Sequence, residues 1–195
     1  PQTEPHGLPF DPFKACIVPR PIAWVSTVSK DGIRNLAPFS FYNAFCWAPP
    51  VVALGMPGRG SRARGKDTLE NIEETGELVV NMATEDMAEA INLTSARFPH
   101  DVDEFDAVGL IAEPSRLVAP DRVAAAPVHF ECRHLQTVIL PGSKPDRSNA
   151  LVLATVIGIH IRDEVFCNGR LDLAAIRPLA RLGYRDWAGI GTVFT

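Results

Sequence analysis

The sequence predicts a mainly antiparallel β-barrel with a few short helical excursions, and three features carry that expectation. An Asp-Gly pair at 31–32 separates two strand-like runs. Two β-rich runs, 128–140 and 151–161, are each long enough to cross a barrel and curl around it. Helical periodicity is confined to short stretches, while turn residues are spread evenly along the chain. With 195 residues and 46% hydrophobic side chains there is material for one sizeable core, so a single domain over 1–195 is expected.

Residues 1–19 hold four prolines before Pro19, which together with Gly7 predicts an extended arm rather than regular structure. The run AWVSTV then alternates: Trp24, Ser26 and Val28 face one way, Ala23, Val25 and Thr27 the other. Asp31-Gly32 supplies the positive φ of a tight primed turn, so the chain doubles back there. The returning arm, 33–45, carries Pro38, which has no N–H to donate; near it the strand must bulge, end or lie at an edge. Phe39-Ser40-Phe41-Tyr42-Asn43 sets hydroxyls and an amide among flat rings, a mixture suited to a planar ligand with polar edges. A plain core hairpin with structural aromatics fits the same residues equally well.

Pro49-Pro50 breaks the chain, and 51–56 reads as a short buried strand. Residues 59–66 form a loop with four cations, Arg59, Arg62, Arg64 and Lys66. A helix start follows, with Asp67 or Thr68 as N-cap and Glu70 completing a capping box; Gly76 is the expected left-handed stop. Cations, a hydroxyl and the free N–H groups of a helix N-terminus together make a phosphate site, although a solvated basic loop has the same composition. This is not a P-loop, since Lys66 is followed by Asp67. ELVVNM at 77–82 is a further strand, 85–96 an amphipathic helix, 98–106 an acidic loop, and 116–118 a short strand. His160 alternates with Ile159 and Ile161 and so faces away from whatever buries them. A short helix follows Leu171, then Arg181-Leu182-Gly183-Tyr184.

The net charge of −4 and the 22% charged residues are ordinary, arguing against nucleic-acid or anionic-membrane partners. No apolar run reaches membrane-spanning length, and the basic and apolar parts of a signal peptide are missing, so a cytoplasmic location is expected. Cys16, Cys46, Cys132 and Cys167 lie far apart without a C-x-x-C pair and are expected as buried free thiols. The histidines are equally dispersed, His129 and His134 on opposite strand faces, so no metal site is expected.

RPIAWVSTVSKDGIRNLAPFSFYNAF followed by GKDTLENIEETGELVVNM resembles the flavin reductase-like family, FMN-binding split barrels that include flavoredoxin and the reductase components of two-component monooxygenases. The likeness runs from about residue 20 to about residue 183. It implies a split β-barrel, a homodimer, and FMN as cofactor with FAD as the alternative. It also implies NADH or NADPH as hydride donor and an oxygenase component as a recipient of reduced flavin. Onto this chain it carries Ser26, Thr27, Ser40 and Asn43 toward the ring's polar edge and ribityl chain, and Ala37, Pro38 and Phe39 as backbone around the ring, with Trp24 as its wall. Arg59, Ser61, Lys66, Asp67 and Thr68 fall at the phosphate, Arg181 as a further contact, and His160 on the nicotinamide side. Asp103-Glu104-Phe105 resembles the family's element over the substrate. Arg181–Tyr184 and Cys46-Trp47-Ala48 depart from the family's usual form. The competing functions are a flavin carrier or sensor without turnover and a relative of the pyridoxal-phosphate oxidases, which share the barrel type; no motif here supports the latter.

Overall fold

The computed structural model describes residues 7–60, 67–142, 144 and 146–194. Its strands are β1 (Arg20–Pro21), β2 (Ala23–Val28), β3 (Arg34–Phe39), β4 (Phe41–Trp47), β5 (Pro50–Gly60), β6 (Glu77–Met82), β7 (Ala112–Glu113), β8 (Arg122–Val123), β9 (Val128–Pro141), β10 (Arg147–Ile161), β11 (Phe166–Cys167), β12 (Arg170–Leu171), β13 (Leu179–Arg181) and β14 (Trp187–Gly189). The helices are α1 (Asp67–Thr75), α2 (Ala88–Leu93), α3 (Glu104–Ala107) and α4 (Leu173–Ile176).

Seven strands form one antiparallel sheet in the order β3-β2-β6-β9-β10-β5-β4. Its edges, β3 and β4, are consecutive in the chain and separated only by Ser40, so the split of the barrel falls at that residue. The edge position of β3 explains how it tolerates Pro38. Leu36 N donates outward to Glu104 Oε2 at 3.1 Å, and by the strand's alternation position 38 faces the same way, where no ladder bond is lost.

The hairpin forms where the sequence predicts it, but the turn differs. Gly32 N donates to Ser29 O at 3.0 Å, Ser29 N donates to Ile33 O at 2.9 Å, and of Asp31 and Gly32 only Gly32 has positive φ, +84°. This is a three-residue loop with a bulge at glycine, not a two-residue primed turn. Other boundaries shift as well. The returning arm is two strands, β3 and β4. β5 continues to Gly60, through part of the expected loop, because it pairs along β10 as far as Arg147. The stretch 85–96 divides into a 3-10 turn, Glu85–Met87, and α2. Residues 116–118 are not a strand; the amides of Arg116 and Leu117 turn instead to a buried carboxylate.

The sheet buries both faces of β2, as its alternation requires. Ala23 and Val25 join the barrel interior with Leu54, Leu78, Val80 and Val152, and Leu69 and Ile72 of α1 plug one end of that interior. Trp24 points outward into a second core with Leu36, Met87, Ile91, Phe105 and Val123, where the segment carrying α2 and α3 covers the sheet. Trp24 Nε1 donates to Thr94 Oγ1 at 2.9 Å, avoiding the ~1–3 kcal/mol cost of an unpaired buried donor. Two register shifts between β9 and β10, at Leu153/Ala154 and at Val156/Gly158, bend these long strands around the barrel. Gly76 ends α1 with φ +74°, as expected. The cysteines are free, but only Cys132 is buried; Cys16, Cys46 and Cys167 are exposed, correcting the expectation of buried thiols. Burial pushes the Cys132 thiol up to about 12.

Among the described residues no helix is long and apolar enough to cross a membrane, and no His/Cys/Asp/Glu cluster has metal-site geometry. In the described part of the N-terminal arm, Phe13–Ala15 forms a 3-10 turn.

Candidate functional site

The first turn of α1 meets the beginning of β3 through a buried polar cluster. Thr68 Oγ1 donates to Asn35 Oδ1 at 2.7 Å, and Thr27 Oγ1 lies 3.4 Å from the same oxygen. Asn71 Nδ2 donates to Thr27 Oγ1 at 3.0 Å, while Asn35 Nδ2 donates to Glu104 Oε1 at 2.8 Å. Thr27 and Asn35 occupy the inward phase of their strands at the end where the barrel interior gives way to α1, so polar side chains there pair with the helix rather than with solvent.

Outside β3, α3 clamps the same strand. Asp103 caps α3, accepting from Phe105 N at 2.9 Å, and its other carboxylate oxygen takes Arg34 Nε at 2.5 Å. Arg34 also pairs with Asp106 at 2.9 Å and Asp121 at 3.5 Å. Burial works to lower the Arg34 pKa, but Asp103 and the other carboxylates raise it overall. Glu104 is 5% exposed and Phe105 fully buried. Asp103-Glu104-Phe105 thus clamps the edge strand. Burial raises the Glu104 carboxyl above its ordinary range despite its hydrogen bonds to Leu36 and Asn35.

The predicted ligand residues do not all come together. Trp24, Ser26 and Thr27 are enclosed: Ser26 Oγ donates to Asp121 O at 2.5 Å and accepts from Asn81 Nδ2 at 3.2 Å. Trp24 is therefore corrected from a wall of the ring to a core residue, and Ser26 and Thr27 from ligand contacts to structural hydrogen-bonders. Ala37, Pro38, Phe39 and Ser40 do lie together at the split, with Pro38 and Ser40 half-buried, and Asn43 is exposed on β4. Ala37 and Phe39, however, send their side chains into the barrel. Asp67 and Thr68 form the start of α1, which meets β3 at Asn35. Thr68 is not an N-cap: it lies inside the helix and its hydroxyl proton is given to Asn35. Ser61, Lys66 and the side chain of Arg59 lie outside the described residues.

Arg181, on β13, pairs in register with Arg20 and stacks on Trp187 at 4.7 Å; burial and the neighbouring Arg20 lower its pKa. Arg20 was not singled out from the sequence. It is 5% exposed and donates to Lys14 O at 2.5 Å, Ile17 O at 2.8 Å and Leu182 O at 2.8 Å, with Nε 3.5 Å from Ser40 Oγ. Asn35 and Asn71 were also missed. A polar residue at the inward phase of a strand, as Asn35 is in NLAPF, is the signal that finds the first.

His160 does not join this group. It bonds Glu131, which is fully buried and also accepts from Arg116 N at 2.9 Å and Leu117 N at 2.6 Å. Ile159 is 55% exposed, so the premise that the two isoleucines are buried fails, and His160, with its side chain 18% exposed, is the more enclosed of the two. Register runs from His160 to His129, Asn81, Trp24 and Pro38, which puts His160 four strands, roughly 19 Å along the sheet, from the β3 edge.

A seven-stranded antiparallel sheet curled into a barrel and open between two sequential edge strands defines a split-barrel protein. A family model for the flavin reductase like domain matches residues 15–175, and the chain belongs to that family. An uncharacterized protein of Aquifex aeolicus is 38% identical over 168 residues, covering 86% of this chain and 82% of that one. Among solved structures, nitrilotriacetate monooxygenase component B from Bacillus cereus is similar at TM-score 0.90 and 27% identity, covering 100% of this chain and 96% of the other. The Pseudomonas fluorescens 2-nitrobenzoate 2-nitroreductase NbaA is similar at TM-score 0.80 and 28% identity, covering 94% and 86%. Membership supports a flavin-reducing or flavin-binding role.

Proposed function

We propose that the protein is an NAD(P)H-dependent flavin reductase that holds FMN between the split at Ala37–Ser40 and the start of α1. The observation that carries the reading is the Thr68–Asn35 hydrogen bond, which brings the two motifs that resemble the family's flavin segments into one place. The residues present fit such a group. Ser40 offers a half-buried hydroxyl and Asn43 an exposed amide for the polar ring edge. The first-turn amides of α1 have no intrahelical partner and suit a phosphate, to which Arg59, Ser61 and Lys66 would add charge and a hydroxyl. Thr68 contributes its backbone, because its hydroxyl proton is already committed.

A bound flavin would supply a two-electron acceptor for hydride from the dihydronicotinamide of NADH or NADPH. The chain's part is placement: β3, clamped by Glu104 and Arg34, keeps the split rigid, and Arg20 steadies Ser40. The likeness to a monooxygenase component B supports an oxygenase as recipient of the reduced flavin. The absorbance spectrum of the purified protein, followed by NADH and NADPH oxidation with and without added FMN, tests the reading. A flavin band with oxidation above the protein-free rate is expected. A flavin band without turnover makes the protein a carrier or sensor, and no flavin binding at all overturns both.

A further inference from the structure

Asn35, on β3, touches β2 at Thr27, α1 at Thr68 and α3 at Glu104, and it is 7% exposed. Its amide has one possible orientation. Glu104 Oε1 lies 2.8 Å from one end of that amide, and a carboxylate only accepts, so the NH2 group faces Glu104 and the oxygen faces Thr68. Glu104 is itself held, because its other oxygen takes Leu36 N at 3.1 Å. A chain of hydrogen bonds therefore runs from the main chain of β3 through Glu104 on α3, back to Asn35, and on to the hydroxyl of Thr68 in the first turn of α1. All of its members are buried. One turn further along α1, Asn71 Nδ2 donates to Thr27 Oγ1 at 3.0 Å, a second tie between the helix and the sheet.

The first-turn amides of α1 have no partner within the helix, so their aim depends on what holds that turn. Leu69 and Ile72 anchor α1 in the barrel interior, but apolar contact is non-directional. The bond from Thr68 to Asn35 is directional, and it acts one residue from the start of the helix. Without it the first turn is free to fray. A phosphate bound there would then have to order the turn, which costs affinity.

We propose that Asn35 is a positioning residue for the flavin phosphate, holding the first turn of α1 in the orientation its free amides need, with Glu104 fixing which way the Asn35 amide points. The inference rests on the reading of the protein as an FMN-binding reductase. It makes α3 a determinant of FMN retention that acts through two side chains of the chain itself rather than by touching the ligand.

Dissociation constants of the full chain for FMN and for riboflavin, measured by fluorescence quenching, test it. Thr68→Val and Asn35→Leu should each weaken FMN about fivefold or more and leave riboflavin within about twofold. The two changes together should weaken FMN no more than the more damaging single one, because both remove the same bond. Exchanging the side-chain types, Asn35→Asp with Glu104→Gln, keeps every bond of the chain: the carboxylate at 35 accepts from Thr68 and from the amide at 104, whose oxygen accepts from Leu36 N. FMN affinity in the exchanged chain should stay within about twofold of wild type. Equal losses for FMN and riboflavin in Thr68→Val, unchanged FMN affinity in that variant, or an exchanged chain as weak as Asn35→Leu each overturn the proposal. Thr68→Val keeps the test decisive if Asn35→Leu does not fold. Absence of flavin binding by the wild-type chain overturns instead the reading of function on which the inference rests.

Discussion

Thr68 Oγ1 donates to Asn35 Oδ1 at 2.7 Å, fastening the start of α1 to the edge strand 33 residues earlier. Thr68→Val keeps the shape of the side chain and removes the donor. A loss of about 1–3 kcal/mol is expected, and for a chain of this size each kcal/mol lowers Tm by about 2–4 °C. An unchanged thermal melt would show that the bond holds nothing.

Glu104 has its folded pKa raised, chiefly by burial. A raised carboxyl contributes stability below its unfolded pKa, about 4.3, and that contribution is lost as pH rises through the folded value. Glu104→Gln does not titrate, so the Tm advantage of wild type over the variant should narrow as pH climbs from about 4. A gap that widens over the same window contradicts the assignment.

Glu131 has the opposite sign. Burial acts to raise its pKa, but the Arg116 and Leu117 amides and His160 outweigh it and the net shift is down. Its contribution is present above about 4.3 and is lost as pH falls through the lowered folded value. Glu131→Gln should therefore cost about 1.5–3 kcal/mol near neutral pH, the range of a hydrogen bond to a charged group, and less in acid. Chemical denaturation at two pH values gives the answer.

His160→Ala is expected to lower the melting temperature while leaving FMN affinity and kcat/KM for NADH per folded molecule unchanged, since its partner is Glu131 and it lies beyond Thr155, where the pairing of β10 with β5 ends. A stable variant with reduced kcat/KM would return His160 to the nicotinamide side.

Replacing Lys66 and Ser61 together by alanine should weaken FMN far more than riboflavin, because riboflavin has no phosphate to lose. Equal loss for both ligands, measured by fluorescence quenching, sinks the phosphate assignment.

The period-2 pattern of AWVSTV separated the two faces of β2, and each of them meets its own apolar core. The edge position of Pro38 was equally legible, since a missing donor has few places to go. Pairing decided what pattern could not. Trp24 and Ser26 look like ligand contacts in a list of residues, yet the covering segment that encloses them lies 70 and 95 residues away, at Thr94 and Asp121. Likewise 116–118 has strand composition, but Glu131 supplies its amides with a better acceptor than a neighbouring strand would.

The Arg20 guanidinium takes carbonyls from both the arm, at Lys14 and Ile17, and the C-terminal segment, at Leu182. The two ends of the chain are therefore one cooperative unit: unfastening either leaves donors of a buried cation without acceptors, which loosens the other. Trimming the arm should accelerate amide exchange near Leu182, more than 160 positions along the chain and with no residue there altered.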